Sequence, residues 1–170
     1  MDRYCAGDVR AFDGLFARYT ARLVRFLTPM VGAAQAKDTA QIAFLKLHES
    51  RHRYRAGAPF APWIFTIARH TALDHLRSAP RRREVGGVEI EAEAEPVVRD
   101  RARDDRVKRA LDTLPDGERQ VILLHWFGGL TFDEVAVVVG AKGPAVRVRA
   151  HRAYEKLRGM LADLKSEVAA

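Results

Sequence analysis

The chain has 170 residues, 29 Lys+Arg against 22 Asp+Glu, a formal net charge of +7 and a pI near 10.0. That length fits one domain or two small ones, charged residues interrupt every apolar run well short of the ~18 needed for a membrane span, and Met1–Phe12 has no apolar core of a secretory signal. The single cysteine, Cys5, excludes an intrachain disulfide and a multi-cysteine zinc site, so a reducing cytoplasm is expected, and the basic surplus points to a polyanionic partner, most often nucleic acid.

The first element is a helix. Val9, Phe12, Phe16, Tyr19, Leu23, Phe26 and Leu27 recur at three- and four-residue intervals, which makes one apolar stripe. Asp8 is the expected N-cap, and Pro29 with Gly32 is expected to end the helix. A second helix is predicted over 35–50, burying Ile42, Leu45 and Phe44. After the turn-prone Arg55-Ala56-Gly57-Ala58-Pro59, a third is predicted over 61–78, with Ile64, Ile67, Ala68 and Leu76 inside and an end at Ala79-Pro80. No stretch shows sustained β alternation.

Charge then divides the chain. Segment 51–83 carries eight arginines against Asp74 alone, and 84–105 carries eight acidic residues against three arginines. Segment 142–158 returns to six basic residues against Glu155. The acidic block contains Gly86-Gly87 and a Glu-rich run at 89–96 that buries little and repels itself, so 81–103 reads as a linker between domains 1–80 and 104–170.

Beyond the linker the pattern is again helical. Val107, Leu111 and Leu114 form a stripe, and Pro115 suits the first turn of a helix over 115–127, broken at Gly128-Gly129. Thr131 followed by Glu134 is a capping box for a short helix ending at Gly140. Pro144 then starts a longer helix to about residue 163. Short helix, glycine-containing turn and longer basic helix form a helix-turn-helix signature. At 100° per residue, Val146, Ala150, Ala153 and Leu157 share the core side. Arg147, Val148, His151 and Arg152 point away from it, and Arg149 lies at the boundary. Arginines there can pair with guanine edges, and all the cations can neutralise phosphates. The predicted fold is therefore all-α: two small helical domains joined by an acidic linker, the second a helix-turn-helix.

These residues resemble the extracytoplasmic-function (ECF) type of bacterial RNA polymerase sigma factors, and the resemblance covers nearly the whole chain. Gly-Asp-x-x-Ala-Phe-x-x-Leu-Phe-x-Arg-Tyr at 7–19 resembles the family's opening helix. Asp38-Thr-Ala-Gln-Ile-Ala-Phe-Leu45 resembles the helix that members dock on the polymerase clamp, which implies core contacts by Asp38, Gln41, Phe44 and Leu45. The strongest match, Arg55-Ala-Gly-Ala-Pro-Phe-Ala-Pro-Trp-Ile-Phe-Thr-Ile-Ala-Arg-His-Thr-Ala-Leu-Asp-His-Leu-Arg77, resembles the loop and helix that read the minus-ten element. It implies DNA-binding roles for Arg55, Phe60, Trp63, Arg69, His70 and Arg77, with loop 55–62 forming a base pocket. Trp63, at a helix start, fits either a stacking platform or a core position. Asp74 fits an acceptor for an intrachain arginine. Leu114-Pro115-x-x-x-Arg119-Gln120-Val121 and the helix-turn-helix resemble the reader of the minus-thirty-five element, which implies Thr131, Arg147, Val148, Arg149, His151, Arg152 and Lys156. The acidic linker would follow a channel built for RNA.

The resemblance implies core RNA polymerase and promoter DNA as partners, and an anti-sigma factor that would clamp the same apolar and basic surfaces. It implies no catalytic site, no cofactor, no metal and no membrane insertion. Four departures stand out. Ile42 replaces a usual acidic residue and His48 a usual aromatic. Pro144-Ala145 replaces Gly-Thr, and Val148 a usual Ser, so Val148 either touches a thymine methyl or is idle. Two rival functions compete with this one. His48-Glu49-Ser50-Arg51-His52 matches the H-E-x-x-H of zinc peptidases, although no third ligand follows and arginines surround it. A helix-turn-helix regulator that binds DNA without polymerase would share the same basic helix.

Overall fold

The computed structural model describes residues 1–83 and 101–162, with side chains described for 1–78 and 106–162. The described part is helical, without strands. Its elements are α1 (Asp2–Cys5), α2 (Arg10–Val31), α3 (Ala33–Ser50), a 3-10 turn (Arg51–Arg53), α4 (Phe60–Arg83), α5 (Arg101–Asp112), α6 (Asp116–Ile122), a π-helical turn (Leu123–Phe127), α7 (Phe132–Val139) and α8 (Gly143–Met160). The linker residues 84–100, and with them the Glu-rich run, lie outside the described residues.

In the first half, α2, α3 and α4 pack mutually. The buried centre combines large side chains on α2 and α4 (Leu23, Phe26, Leu27, Ile64, Phe65) with alanines on α3 and α4 (Ala36, Ala40, Ala43, Ala68, Ala72). Small residues let the backbones approach, and the aromatics fill the space between them. Phe26 and Phe65 meet edge to face at 5.4 Å. In the second half, α6 and α7 pack against α8. Val121, Leu124, Leu130, Val135, Val146, Ala150 and Ala153 form its buried interior.

Several local expectations are corrected. Asp8 does not cap α2, because its carboxylate accepts from Arg3 Nη2 at 2.7 Å and Val9 occupies the cap position. Pro29 does not stop the helix. A proline within the last turn removes a single amide donor, and α2 continues to Gly32, whose φ of +90° ends it. Likewise α4 runs past Pro80 to Arg83. The apolar stripe of α2 is buried only from Tyr19 onward, since Val9 and Phe16 are exposed. On α3 the core positions are Ala40, Ala43, Phe44 and Leu47, so Ile42 and Leu45, expected inside, face solvent at 45% and 58% exposure. Leu76 is also exposed. The error on α3 has a physical cause: alanines define its buried face, and the larger apolar residues lie beside that face.

The capping box at Thr131 is present in both directions. Thr131 Oγ1 accepts from the Glu134 amide at 3.2 Å, and Glu134 Oε2 accepts from the Thr131 amide at 2.9 Å. Gly140, at φ +64° and ψ +38°, closes α7 in the left-handed conformation that favours glycine. Pro144 lies in the first turn of α8, which ends at Met160.

Candidate nucleic-acid and polymerase interfaces

The helix-turn-helix is assembled by these caps. α7 and α8 pack through Val135, Val138, Val146, Ala150 and Ala153, all buried. Arg147, Val148, His151 and Arg152 are exposed on the opposite side of α8, and Arg149 is half-buried. Arg147 pairs with Asp133 at 3.1 Å, but both side chains remain largely open to water, so the pair is weak and exchangeable. Leu157, expected in the core, is only partly buried. Lys156 reaches back to Glu118 at 2.8 Å, and the Glu118 carboxylate is nearly buried. Lys156 therefore also ties α8 to α6. Thr131 is exposed, with its hydroxyl engaged in the cap.

In the first half, the segment before α4 is a braced loop. The Tyr54 hydroxyl donates to the Ala58 carbonyl, the Ala58 amide to Arg55 O at 3.0 Å, and the Gly57 amide to Asp2 Oδ1 at 3.0 Å. Burial, first, and the nearby Asp2 carboxylate push the Tyr54 phenol above its ordinary pKa, which keeps it a donor. Phe60 and Trp63 are half-buried. Phe60 meets Tyr19 edge to face at 4.8 Å, and Trp63 lies 5.0 Å from the Tyr54 ring. Tyr54 escaped notice in the sequence because one tyrosine before a turn carries no periodic signal. Arg55, His70 and Arg77 are exposed. Asp74 accepts from Lys46 at 3.4 Å and lies 3.9 Å from Arg77. A surface groove next to this helix is lined by Lys46, Glu49, Ser50, His52, Arg53 and His70. Its first five residues come from the end of α3 and the 3-10 turn, and none of them is among the expected DNA contacts. Arg69 differs from its neighbours: its guanidinium donates to Gln120 Oε1 at 3.2 and 3.0 Å, so it contacts the second half.

On α3, Asp38 and Gln41 are exposed one turn apart, together with Ile42 and Leu45. Phe44 is buried, as the helical pattern predicts, at 3% exposure with its ring 4.8 Å from Phe16 and 5.9 Å from Phe12, and it lines the groove beside Gln41 and Leu45. Beside Gln41 and Leu45 lies an apolar groove that Val9, Phe16 and Phe12 also line.

The H-E-x-x-H match does not form a metal site. α3 ends at Ser50, and the 3-10 turn carries His52 out of helical register with His48. His48 Nδ1 is hydrogen-bonded to the Tyr4 hydroxyl. Among the described residues no three His, Cys, Asp or Glu side chains are grouped to hold a metal ion, and no helix is long and apolar enough to cross a membrane.

Comparison with known proteins agrees with this geometry. Residues 15–82 match the Sigma-70 region 2 family and residues 104–157 match Sigma-70, region 4. The chain is 38% identical over 175 aligned positions to the RNA polymerase sigma factor CarQ of Myxococcus xanthus, covering 99% of both chains. The chain belongs to the RNA polymerase sigma factors, in their ECF group. It is also 30% identical to the RNA polymerase sigma-H factor of Pseudomonas aeruginosa, over 98% of this chain and 94% of that one. The structure of CnrH in complex with the cytosolic domain of CnrY superposes with a TM-score of 0.75 at 26% identity, covering 95% and 94% of the two chains. A sigma factor directs RNA polymerase to promoters, and neither rival function is favoured for this one.

Proposed function

We propose that this sigma factor divides its work among three surfaces. The exposed side of α3, with Asp38, Gln41 and Leu45, docks on core polymerase. The braced loop and α4, with Arg55, Phe60, Trp63, Arg69, His70 and Arg77, capture the minus-ten element as it melts. The exposed side of α8, with Arg147, Val148, Arg149, His151, Arg152 and Lys156, and the α7 cap at Thr131, engage the minus-thirty-five element. Domains 1–80 and 104–170 are the functional units, and 81–103 joins them.

The observation that carries this reading is the segregation on α8: three fully buried small residues on one side, exposed cations on the other. A helix presenting such a face after a capped turn fits the major groove. The aromatics at the start of α4 suit a different task. Unstacked bases are held by aromatic faces, and nearby arginines hold the strand backbone. The factor itself performs no bond chemistry; it positions DNA for the polymerase, acts in the cytoplasm and needs no cofactor. CnrH, the structural relative, was solved with the cytosolic domain of CnrY, and RpoE of Bartonella quintana with the anti-sigma factor NepR. An anti-sigma factor for the present protein would cover the same apolar and basic surfaces.

Run-off transcription with purified core polymerase over a genomic promoter pool tests the reading. Transcripts from a defined promoter subset, dependent on both components, are expected. Promoter-specific DNA binding by the protein alone, with no effect on transcription, would overturn it.

A further inference from the structure

Two arginines on the outer face of α8 have different surroundings. Arg152 has no ion-pair partner among the described residues, whereas Arg147 has a carboxylate from another helix set against it. Asp133 lies in the first turn of α7, and its Oδ1 accepts from Arg147 Nη2 at 3.1 Å across 14 positions of chain. Both ends of this contact are anchored. The reciprocal capping box at Thr131 and Glu134 sets the first turn of α7, and the left-handed Gly140 sets its end. Val135, Val138, Val146 and Ala150 are buried between α7 and α8. Gly143, the first residue of α8, supplies the space. A Cβ there would lie 3.3 Å from Asp133 Oδ1 and 3.5 Å from Arg147 Nη1, so carboxylate and guanidinium both lie against the side that a larger residue would fill. Gly143 is not in the left-handed region, so the turn itself does not require glycine at this position.

In water the pair adds little to stability, since both side chains are largely exposed. Against DNA its surroundings change. Docking in a groove removes water and strengthens the attraction. A guanidinium carries five donors in a rigid fork; Asp133 takes one, and guanine O6 and N7 need two. A lone arginine must give up rotamer freedom to hold that geometry, and it can swing instead to a phosphate, which carries no sequence information. A carboxylate at its flank counters both effects. It fixes the plane of the fork, and it repels the phosphate that would draw the arginine aside. We propose that Asp133 is a positioning residue for promoter reading: it holds Arg147 as a guanine reader of the minus-thirty-five element, in the space that Gly143 leaves open. This role rests on the proposed function of α8.

The test uses holoenzyme assembled from core polymerase and the full-length factor, selected on a promoter library randomised across the minus-thirty-five element and read by sequencing. Arg147→Ala should abolish preference at one base pair. Asp133→Ala should lower preference at that same pair by about tenfold, since a good bidentate contact discriminates roughly ten- to hundredfold. Binding of DNA that lacks the element should be unchanged or tighter, because a negative charge has left the interface, whereas a merely destabilised helix-turn-helix would weaken binding to every sequence. Asp133→Asn, which keeps an acceptor oxygen, should retain part of the preference. In an Arg147→Ala background, Asp133→Ala should change nothing further. Gly143→Ala sets a methyl against the pair without straining the helix, so it should reproduce the loss with the thermal midpoint preserved. Circular dichroism checks folding, and Gly143→Ala serves if Asp133→Ala is unfolded. A preference profile identical to the parent's in Asp133→Ala would overturn the positioning role. So would a loss spread over all positions, one that persists in the Arg147→Ala background, or an Arg147→Ala variant that keeps every preference. A parent holoenzyme without base preference at any position would instead reject the proposed minus-thirty-five reading itself.

Discussion

The two helices proposed to bind nucleic acid, α4 and α8, are both basic, but they are built differently. On α8 the core side is Val146, Ala150 and Ala153, and the cations lie opposite, so function and packing occupy separate faces. On α4 they are interleaved. Ile64, Phe65 and Ala68 are fully buried, Phe60 and Trp63 are half-buried among other aromatics, and Arg69 reaches the second half. An element that only docks on a duplex can be a simple amphipathic helix. One that must hold unstacked bases needs a pocket, which takes several elements to build.

The comparison breaks most sharply in the core. Phe65→Ala should cost about 3–5 kcal/mol and lower the thermal unfolding midpoint, because it removes the ring that meets Phe26. Arg152→Ala, on the outer face of α8, should leave that midpoint unchanged. Its expected effect is on DNA: a loss of ~1–3 kcal/mol with relaxed preference at one base pair if it reads guanine, or uniform weakening with a salt slope shallower by about 1 if it holds phosphate. Footprinting of holoenzyme on a promoter series over a salt range separates the two. Val148→Ser should shift preference at one A·T pair if the valine touches a thymine methyl, and leave it unshifted if the valine is idle.

Docking residues should behave like α8 and unlike α4. Asp38→Ala with Gln41→Ala should weaken core binding by about 1 kcal/mol or more, roughly the net worth of one or two hydrogen bonds, with folding intact. Unchanged co-purification with core polymerase would remove the docking assignment. Because Ile42 is exposed, Ile42→Glu should strengthen core binding without destabilising the domain. The smallest effect expected is on pH dependence. Burial raises the Tyr54 phenol above its ordinary value of 10.0 in the folded state, so stability is full below that pH and declines as pH climbs through and beyond it. Tyr54→Phe should flatten the alkaline part of a urea-midpoint profile.

Much of this protein was legible locally. The capping box at Thr131, the left-handed end at Gly140, the start at Pro144 and the two-sided α8 all follow from short-range rules, because caps and helical periodicity involve residues within a turn or two. The family resemblance likewise lay in short motifs and their order. Where neighbours decide, local rules failed. Phe44 and Ile42 are both apolar and two positions apart, and only the approach of α2 buries the first and leaves the second in water.

The sequence by itself determined the all-α class, the helix-turn-helix and the cations of α8, since each depends on contacts within one segment. Tertiary structure alone decided which apolar residues of α2 and α3 face solvent, that Tyr54 braces the loop before α4, and that Arg22 and Arg69 reach the other half. Those contacts join residues 4 to 107 positions apart. Neither periodicity nor charge counting carries information over the longer of these separations.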